Sequence, residues 1–332
     1  MAVRNRGFNH LPFTIYHLPI MTLAYIFPGQ GSQHPGMGKN LAENFPVAQR
    51  IFEEADEALN FAISELCFHG SAEDLQLTEN TQPAILAVSA AVLGTMESEG
   101  FPRPDFVAGH SLGEYSGLFA ARSLSLSDSV RTVRSRGRYM QEAVPVGTGA
   151  MAAVIGLSLD QIEAACKEAS DGQVCAPANI NSATQVVIAG NTEAIDRAGE
   201  LMKSRGAKRV LKLNVSAPFH CALMTPAQER LAVDLEATEF NDLQVPLVTN
   251  VDAAVVAEAL AARDALVRQV SSPVRWLESV ELLIKQGVDT FVEVGPGKVL
   301  TGLMRQISRE VRCFNVEDVA SLKSASASLG LS

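Results

Sequence analysis

Apolar positions along this chain fall into short continuous runs separated by longer stretches of helical period. Residues 22–27 (TLAYIF) form the first run, closed by Pro28 and Gly29. A run of that length ended by turn residues predicts a strand. Residues 29–38 (GQGSQHPGMG) hold four glycines and no apolar run, and predict a loop. Helical stretches follow around 40–59 and 82–99. The segment 105–109 (DFVAG) reads as a short buried strand of the parallel type. A helix, LGEYSGLFAAR, opens directly after it. Strand, sharp turn and helix in that order predict an α/β protein.

The pattern changes at residues 147–216. GAMAAVIGL predicts a strand, and SLDQIEAACKEA a helix with Ser158 as N-cap. VCAPANI and QVVIAG predict two strands joined by the polar turn NSAT. NTEAIDRAGELMKSRG predicts a helix that starts at an Asn cap and stops at Gly206, and KRVLKLNV a last strand. The order βαββαβ is the ferredoxin-like split unit. It interrupts a larger α/β subdomain made of 21–146 and 217–319. There a helix over 222–238, a strand at VPLVTNV, a helix near 274–287 and the strand TFVEVG continue the pattern, with a helix after GPGK. Residues 320–332, rich in Ser and Ala, are expected to be a flexible tail.

The 332 residues carry a net charge of −10, with 47% hydrophobic and 19% charged residues. That balance supports a core and excludes a disordered or fibrous chain. An acidic chain without a basic block is a poor nucleic-acid binder. No stretch of about 18 apolar residues occurs, so no transmembrane helix is expected. Five scattered cysteines without C-x-x-C spacing fit a reduced, cytoplasmic setting and give no zinc or redox site. Arg4 and Arg6 precede an apolar run that loosely imitates a signal peptide, but Pro12, His17 and Pro19 interrupt it and no A-x-A site follows. Residues 1–20 therefore read as an extension, with Met21 opening the folded part.

The strongest chemical signal is Gly109-His110-Ser111-Leu112-Gly113, a G-x-S-x-G between strand and helix. The glycines permit a tight turn, which presents the Ser111 hydroxyl at a helix N-terminus as a nucleophile. The Leu112 N–H then points at developing negative charge. The bland alternative is a turn with Ser111 as a helix cap. Glu114, three residues on, matches a capping box and is expected to bond the helix start. The serine needs a base among six histidines. His10 and His17 lie in the extension, His34 in the glycine-rich loop, and His69 in a polar stretch. The elbow turns His110 away from the hydroxyl. His220 remains by elimination, at the junction of the two subdomains. Asp234 and Asp252 lack the turn context of an acid partner. Neither GQGSQH nor GPGK meets a dinucleotide or Walker spacing. The run RTVRSRGR (131–138) is a solvated helix face or a carboxylate grip.

Eight ordered segments resemble the malonyl-CoA:acyl carrier protein transacylases of bacterial type II fatty acid synthesis: IFPGQGSQ (26–33), NTQPAI (80–85), GHSLGEYS (109–116), RSRGRYMQEA (134–143), NSATQVVIAG (181–190), APFH (217–220), QVSSPVRW (269–276) and EVGPGKVLTGL (293–303). The resemblance covers about 22–315. It implies an α/β-hydrolase-like large subdomain carrying the ferredoxin-like insertion. It implies Ser111 as the acylated nucleophile and His220 as general base, then acid. The N–H groups of Gln30 and Leu112 would form the oxyanion hole, and Arg136 would hold the malonyl carboxylate. A main-chain carbonyl near Gln269 would orient His220, with Gln82 and His110 lining the pocket. The substrates would be malonyl-CoA and holo acyl carrier protein, reacting in ping-pong order without a bound metal or other cofactor. The partner would be acyl carrier protein, with no nucleic acid or membrane, and the enzyme a monomer. A basic patch, from the 131–138 run or from Lys203, Arg205, Lys208 and Arg209, would have to meet the acidic carrier. A serine hydrolase, a polyketide acyltransferase with another extender unit and an inactive carrier-binding homologue are the rival readings.

Overall fold

The computed structural model describes residues 21–145, 147–215 and 217–331; the extension expected over 1–20 lies outside them. The chain runs β1 (Leu23–Phe27), α1 (Lys39–Asn44), α2 (Pro46–Leu59), α3 (Ile63–His69), α4 (Ala72–Gln76), α5 (Thr78–Ser98), β2 (Phe106–Gly109), α6 (Gly113–Ala120) and α7 (Leu126–Glu142). Then come β3 (Gly149–Ile155), α8 (Leu159–Ala169), β4 (Cys175–Ser182), β5 (Gln185–Asn191), α9 (Thr192–Ser204) and β6 (Arg209–Lys212). After a 3-10 turn follow α10 (Thr225–Ala237), β7 (Leu247–Val248), β8 (Val255–Val256), α11 (Ala259–Gln269), α12 (Trp276–Lys285), β9 (Thr290–Val294), α13 (Val299–Ile307), β10 (Arg312–Val316) and α14 (Val319–Leu329). Pro46 divides the single helix expected over 40–59, since its ring fixes a helix start at the second segment.

Two sheets result. The larger has the order β10-β9-β1-β2-β7-β8, parallel except for β8. Every residue of β1 and β9 is buried, as a parallel sheet covered by helices on both faces requires. The smaller sheet is antiparallel in the order β4-β5-β3-β6, with α8 and α9 as its helices. That is ferredoxin-like topology, set into an α/β-hydrolase-like body. Ser158 caps α8 in a full capping box. Main-chain bonds join the two parts: Val274 N–H donates to Ala178 at 2.8 Å, and Ile180 N–H donates to Val274 at 2.9 Å.

The tail is not frayed. Residues 319–329 form a helix capped by Asp318, whose carboxylate accepts from the Ser321 N–H, and ended by Gly330 at φ 74°. Leu322 and Ala325 are buried against the large core. The Ser/Ala composition hid a capping box that overrides it.

Candidate active site

The elbow is built by glycine at both ends. A Cβ on Gly109 would overlap the Gly113 main chain, and one on Gly113 would overlap the Phe27 carbonyl oxygen of β1. Between them Ser111 holds φ 54°, a strained conformation for a residue with a side chain. Asn250, just after β7, clamps it: Oδ1 accepts from Ser111 N–H at 2.6 Å, and Nδ2 donates to the Gly109 carbonyl at 2.6 Å.

The sheet then gathers the reacting groups. Ser111 Oγ lies 2.7 Å from His220 Nε2. His220 Nδ1 lies 3.0 Å from the main-chain oxygen of Gln269, at the end of α11. A carbonyl can only accept, so Nδ1 carries the proton and Nε2 is left to receive the serine's. Neither Asp234, which accepts from Tyr139 Oη at 2.8 Å, nor Asp252, paired with Arg268, fills that place. His220 also has positive φ, 60°, and is buried. Burial, aided by the charge of Arg136, pushes its pKa down to about 3, so the ring is neutral.

Arg136 is only 1% exposed, in the middle of α7. Gly137 makes that depth possible: a side chain there would press on the main chain at Thr78 and Glu79, so α7 lies directly on α5. Arg136 Nη1 donates to Gln82 Oε1 at 2.8 Å. Nη2 donates to Gln269 Oε1 at 2.8 Å and to Ser111 Oγ at 3.1 Å. Among the described residues no carboxylate lies within 4 Å of it. Its hydrogen-bond acceptors are all neutral, which leaves its charge available to an anion entering the cavity. Burial lowers its pKa from the ordinary value, but a guanidinium stays charged at neutral pH.

A cavity of about 100 Å³ joins these groups. Ser111, His220, Arg136, Gln82, Gln30 and Leu112 line it from the large subdomain. Met151, Asn179 and Leu213 come from the β3–β6 part. Gln30 Nε2 reaches Thr78 Oγ1 at 3.5 Å. His110 lines the same space, its Nε2 2.9 Å from Asn181 Oδ1. A hollow of about 800 Å³ elsewhere, beside α9, carries none of the reacting side chains. Every site residue read from the sequence therefore meets here except that Gln269 acts by side chain as well as carbonyl. Sequence reasoning did not find Asn250, Asn181 or Gly137. It also misread Glu114, which caps nothing: Leu112 is the N-cap without a side-chain bond, and Glu114 turns inward to Asn250 and Gln269.

A strained serine bonded to a neutral histidine, beside a buried guanidinium whose hydrogen-bond acceptors are neutral, defines an enzyme that moves an anionic acyl group through a serine ester. Residues 24–327 match the acyl transferase domain family. The chain is 49% identical to the malonyl CoA-acyl carrier protein transacylase of Salmonella typhimurium, over 91% of this chain and 98% of that protein. It is 51% identical to that of Escherichia coli K12, over 86% and 92%. A solved acyl carrier protein S-malonyltransferase from Vibrio cholerae superposes with a TM-score of 0.90 at 48% identity, covering 92% of this chain and 99% of that one. A malonyl-transacylase solved in complex with a type II polyketide acyl carrier protein gives 0.90 at 49% identity, covering 92% and 98%. The chain belongs to the acyl transferase family, among the malonyl CoA-acyl carrier protein transacylases.

Proposed function

We propose that Ser111, His220 and Arg136 carry out the family's reaction here, the transfer of malonyl from malonyl-CoA to the phosphopantetheine thiol of acyl carrier protein, supplying extender units for fatty acid synthesis. The observation that carries this is the Arg136 guanidinium, buried with no carboxylate within 4 Å among the described residues and hydrogen-bonded to the nucleophile's oxygen at 3.1 Å.

The malonyl carboxylate pairs with Arg136. Ser111 Oγ attacks the thioester carbon while His220 Nε2 takes its proton. The oxyanion forms against the N–H groups of Gln30 and Leu112, and the imidazolium protonates the departing CoA thiolate. The carrier's thiol then gives its proton to His220 and attacks the serine ester. The tetrahedral intermediate collapses, and the malonyl thioester leaves as Ser111 regains its proton. Arg136 adds a control: its charge depresses the basicity of His220, and the arriving carboxylate cancels that charge. A malonyl group thereby raises the basicity of the histidine that activates its own acceptor. Side chains supply the nucleophile, base and cation, so the reaction needs no resident cofactor.

The protein works as a cytoplasmic monomer, with 147–216 as a wall of the site rather than an independent unit. Its free cysteines and acidic charge support that setting. Acyl carrier protein meets it near β6. Arg131 and Arg134 are bound to the carbonyls of Ala58 and Leu59, and Lys203 and Arg205 to Glu200 and Glu168. Lys208 and Arg209 are exposed with no such carboxylate among the described residues, and the chain runs from them to Leu213 and Val215 in the cavity wall. Arg209→Glu should raise the KM for carrier protein by roughly three- to tenfold, more at low salt, and leave malonyl-CoA acylation unchanged. An unaltered carrier KM removes this docking face.

The test of the activity is intact-protein mass after addition of malonyl-CoA, then of holo acyl carrier protein. A malonyl adduct that moves to the carrier is expected. Rapid release of free malonate without transfer would make the protein a hydrolase.

A further inference from the structure

Glu114 stands in the first turn of α6, three residues beyond the nucleophile, fully buried. One oxygen, Oε2, accepts from the Asn250 N–H at 2.9 Å and from Gln269 Nε2 at 2.9 Å. The other has no hydrogen-bond partner among the described residues. Placing a carboxyl group there is costly, and packing alone gives no reason for it. The two residues it holds reach each reacting group. Asn250 clamps Ser111 and Gly109, as described above. Gln269 Nε2 also donates to the Ser111 carbonyl at 3.0 Å. Its Oε1 receives Arg136, and its main-chain oxygen faces His220 Nδ1.

The direction of the Gln269 amide decides whether this works. Turned over, its NH₂ group would confront the guanidinium, donor against donor. An ionised carboxylate only accepts, so it draws the NH₂ group to itself and leaves Oε1 for Arg136. We propose that Glu114 is a positioning residue of the transfer reaction, holding Arg136 and the Ser111 elbow in register through Gln269 and Asn250. This rests on the roles of Ser111, His220 and Arg136 given above.

Burial raises the Glu114 carboxyl from an ordinary 4.5 to about 7, against the lowering effects of Asn250, Gln269 and Arg136. The charged groups facing it are Arg136 of α7 and Asp252 after β7, with neutral Tyr115 beside it. The device is complete above about pH 7 and weakens below it. Its stability effect has the opposite sense. The folded value lies above the free one, so ionisation costs stability as pH rises from 4.5 to 7.

Glu114→Gln tests this, with acylation rates per active site measured for malonyl-CoA and acetyl-CoA on both sides of pH 7. Malonyl acylation should fall about tenfold and acetyl acylation less, within the range of coupled buried networks. The limb near pH 7 should vanish, while any limb due to substrate stays in both proteins. Tm above pH 7 should hold or rise. In a Gln269→Met background the same change should alter the malonyl preference by less than about twofold. An unchanged preference and pH limb in Glu114→Gln overturn the proposal, as does an equal fall for both donors with a lowered Tm. If Glu114→Gln does not fold, Gln269→Met alone decides: it must narrow the preference and flatten the limb, and keeping either overturns the proposal. Failure of the underlying roles would show separately, as an Arg136→Ala protein that still prefers malonyl.

Discussion

Ser111→Ala is expected to give a folded protein that acquires no malonyl group from malonyl-CoA and passes none to acyl carrier protein. The hydroxyl is the nucleophile on which the geometry of base and cation converges. It donates toward His220 Nε2 at 2.7 Å and accepts from Arg136 at 3.1 Å, inside the cavity between the two subdomains. Removing the serine nucleophile of a triad enzyme costs about a millionfold. Alanine keeps the backbone at φ 54° and so keeps its strain, but it removes a polar atom. Folding should therefore be unimpaired, and stability higher by a few tenths to about 2 kcal/mol, as when function is traded away. Intact mass and urea denaturation read the two effects. A malonylated Ser111→Ala protein would require another nucleophile.

Arg136→Ala is expected to lose its preference for malonyl over acetyl. Truncating one partner of a buried, hydrogen-bonded charge pair costs about 2–5 kcal/mol, or about 30-fold to 4,000-fold in malonyl acylation. Acetyl has no carboxylate to lose. It should gain, because His220 no longer feels the arginine's charge and its pKa rises from the depressed value of about 3. Competition of malonyl-CoA and acetyl-CoA for one sample reads the ratio directly, independent of the folded fraction. An unchanged ratio would remove Arg136 from substrate recognition.

Where sequence and structure agree, the information was local. The elbow declares itself because only glycine fits at 109 and 113, and the βαββαβ unit because each element carries its own period and Ser158 caps α8; the Asn191 expected to cap α9 stands at its start but accepts from Val174 N–H instead. Arg136 was half legible. Arg131, Arg134 and Arg138 lie at helical spacing on the outer face of α7, whereas Arg136 shares the buried stripe with Val133 and Met140. A helical projection singles it out, though not its purpose. The rest depends on long-range meetings. Asn250 lies 139 residues from the Ser111 it clamps, and Gln269 lies 155 from Glu114. Nothing near either residue announces those partners. Glu114 misled because its spacing from Ser111 mimics a cap. The elbow's positive φ ends that reading, since the helix begins only after it.

The main-chain bonds between Val274 and residues 178 and 180 stitch the cavity's two walls together. With its far wall sewn to its near wall, the slot has no hinge there on which to swing shut over a bound acyl group. On that geometry water is expected to be excluded by occupancy, with the pantetheine arm as the stopper. Between one arm's departure and the next arm's arrival the serine ester stands uncorked. The longer the ester waits for a carrier, the more malonyl it is expected to lose to water.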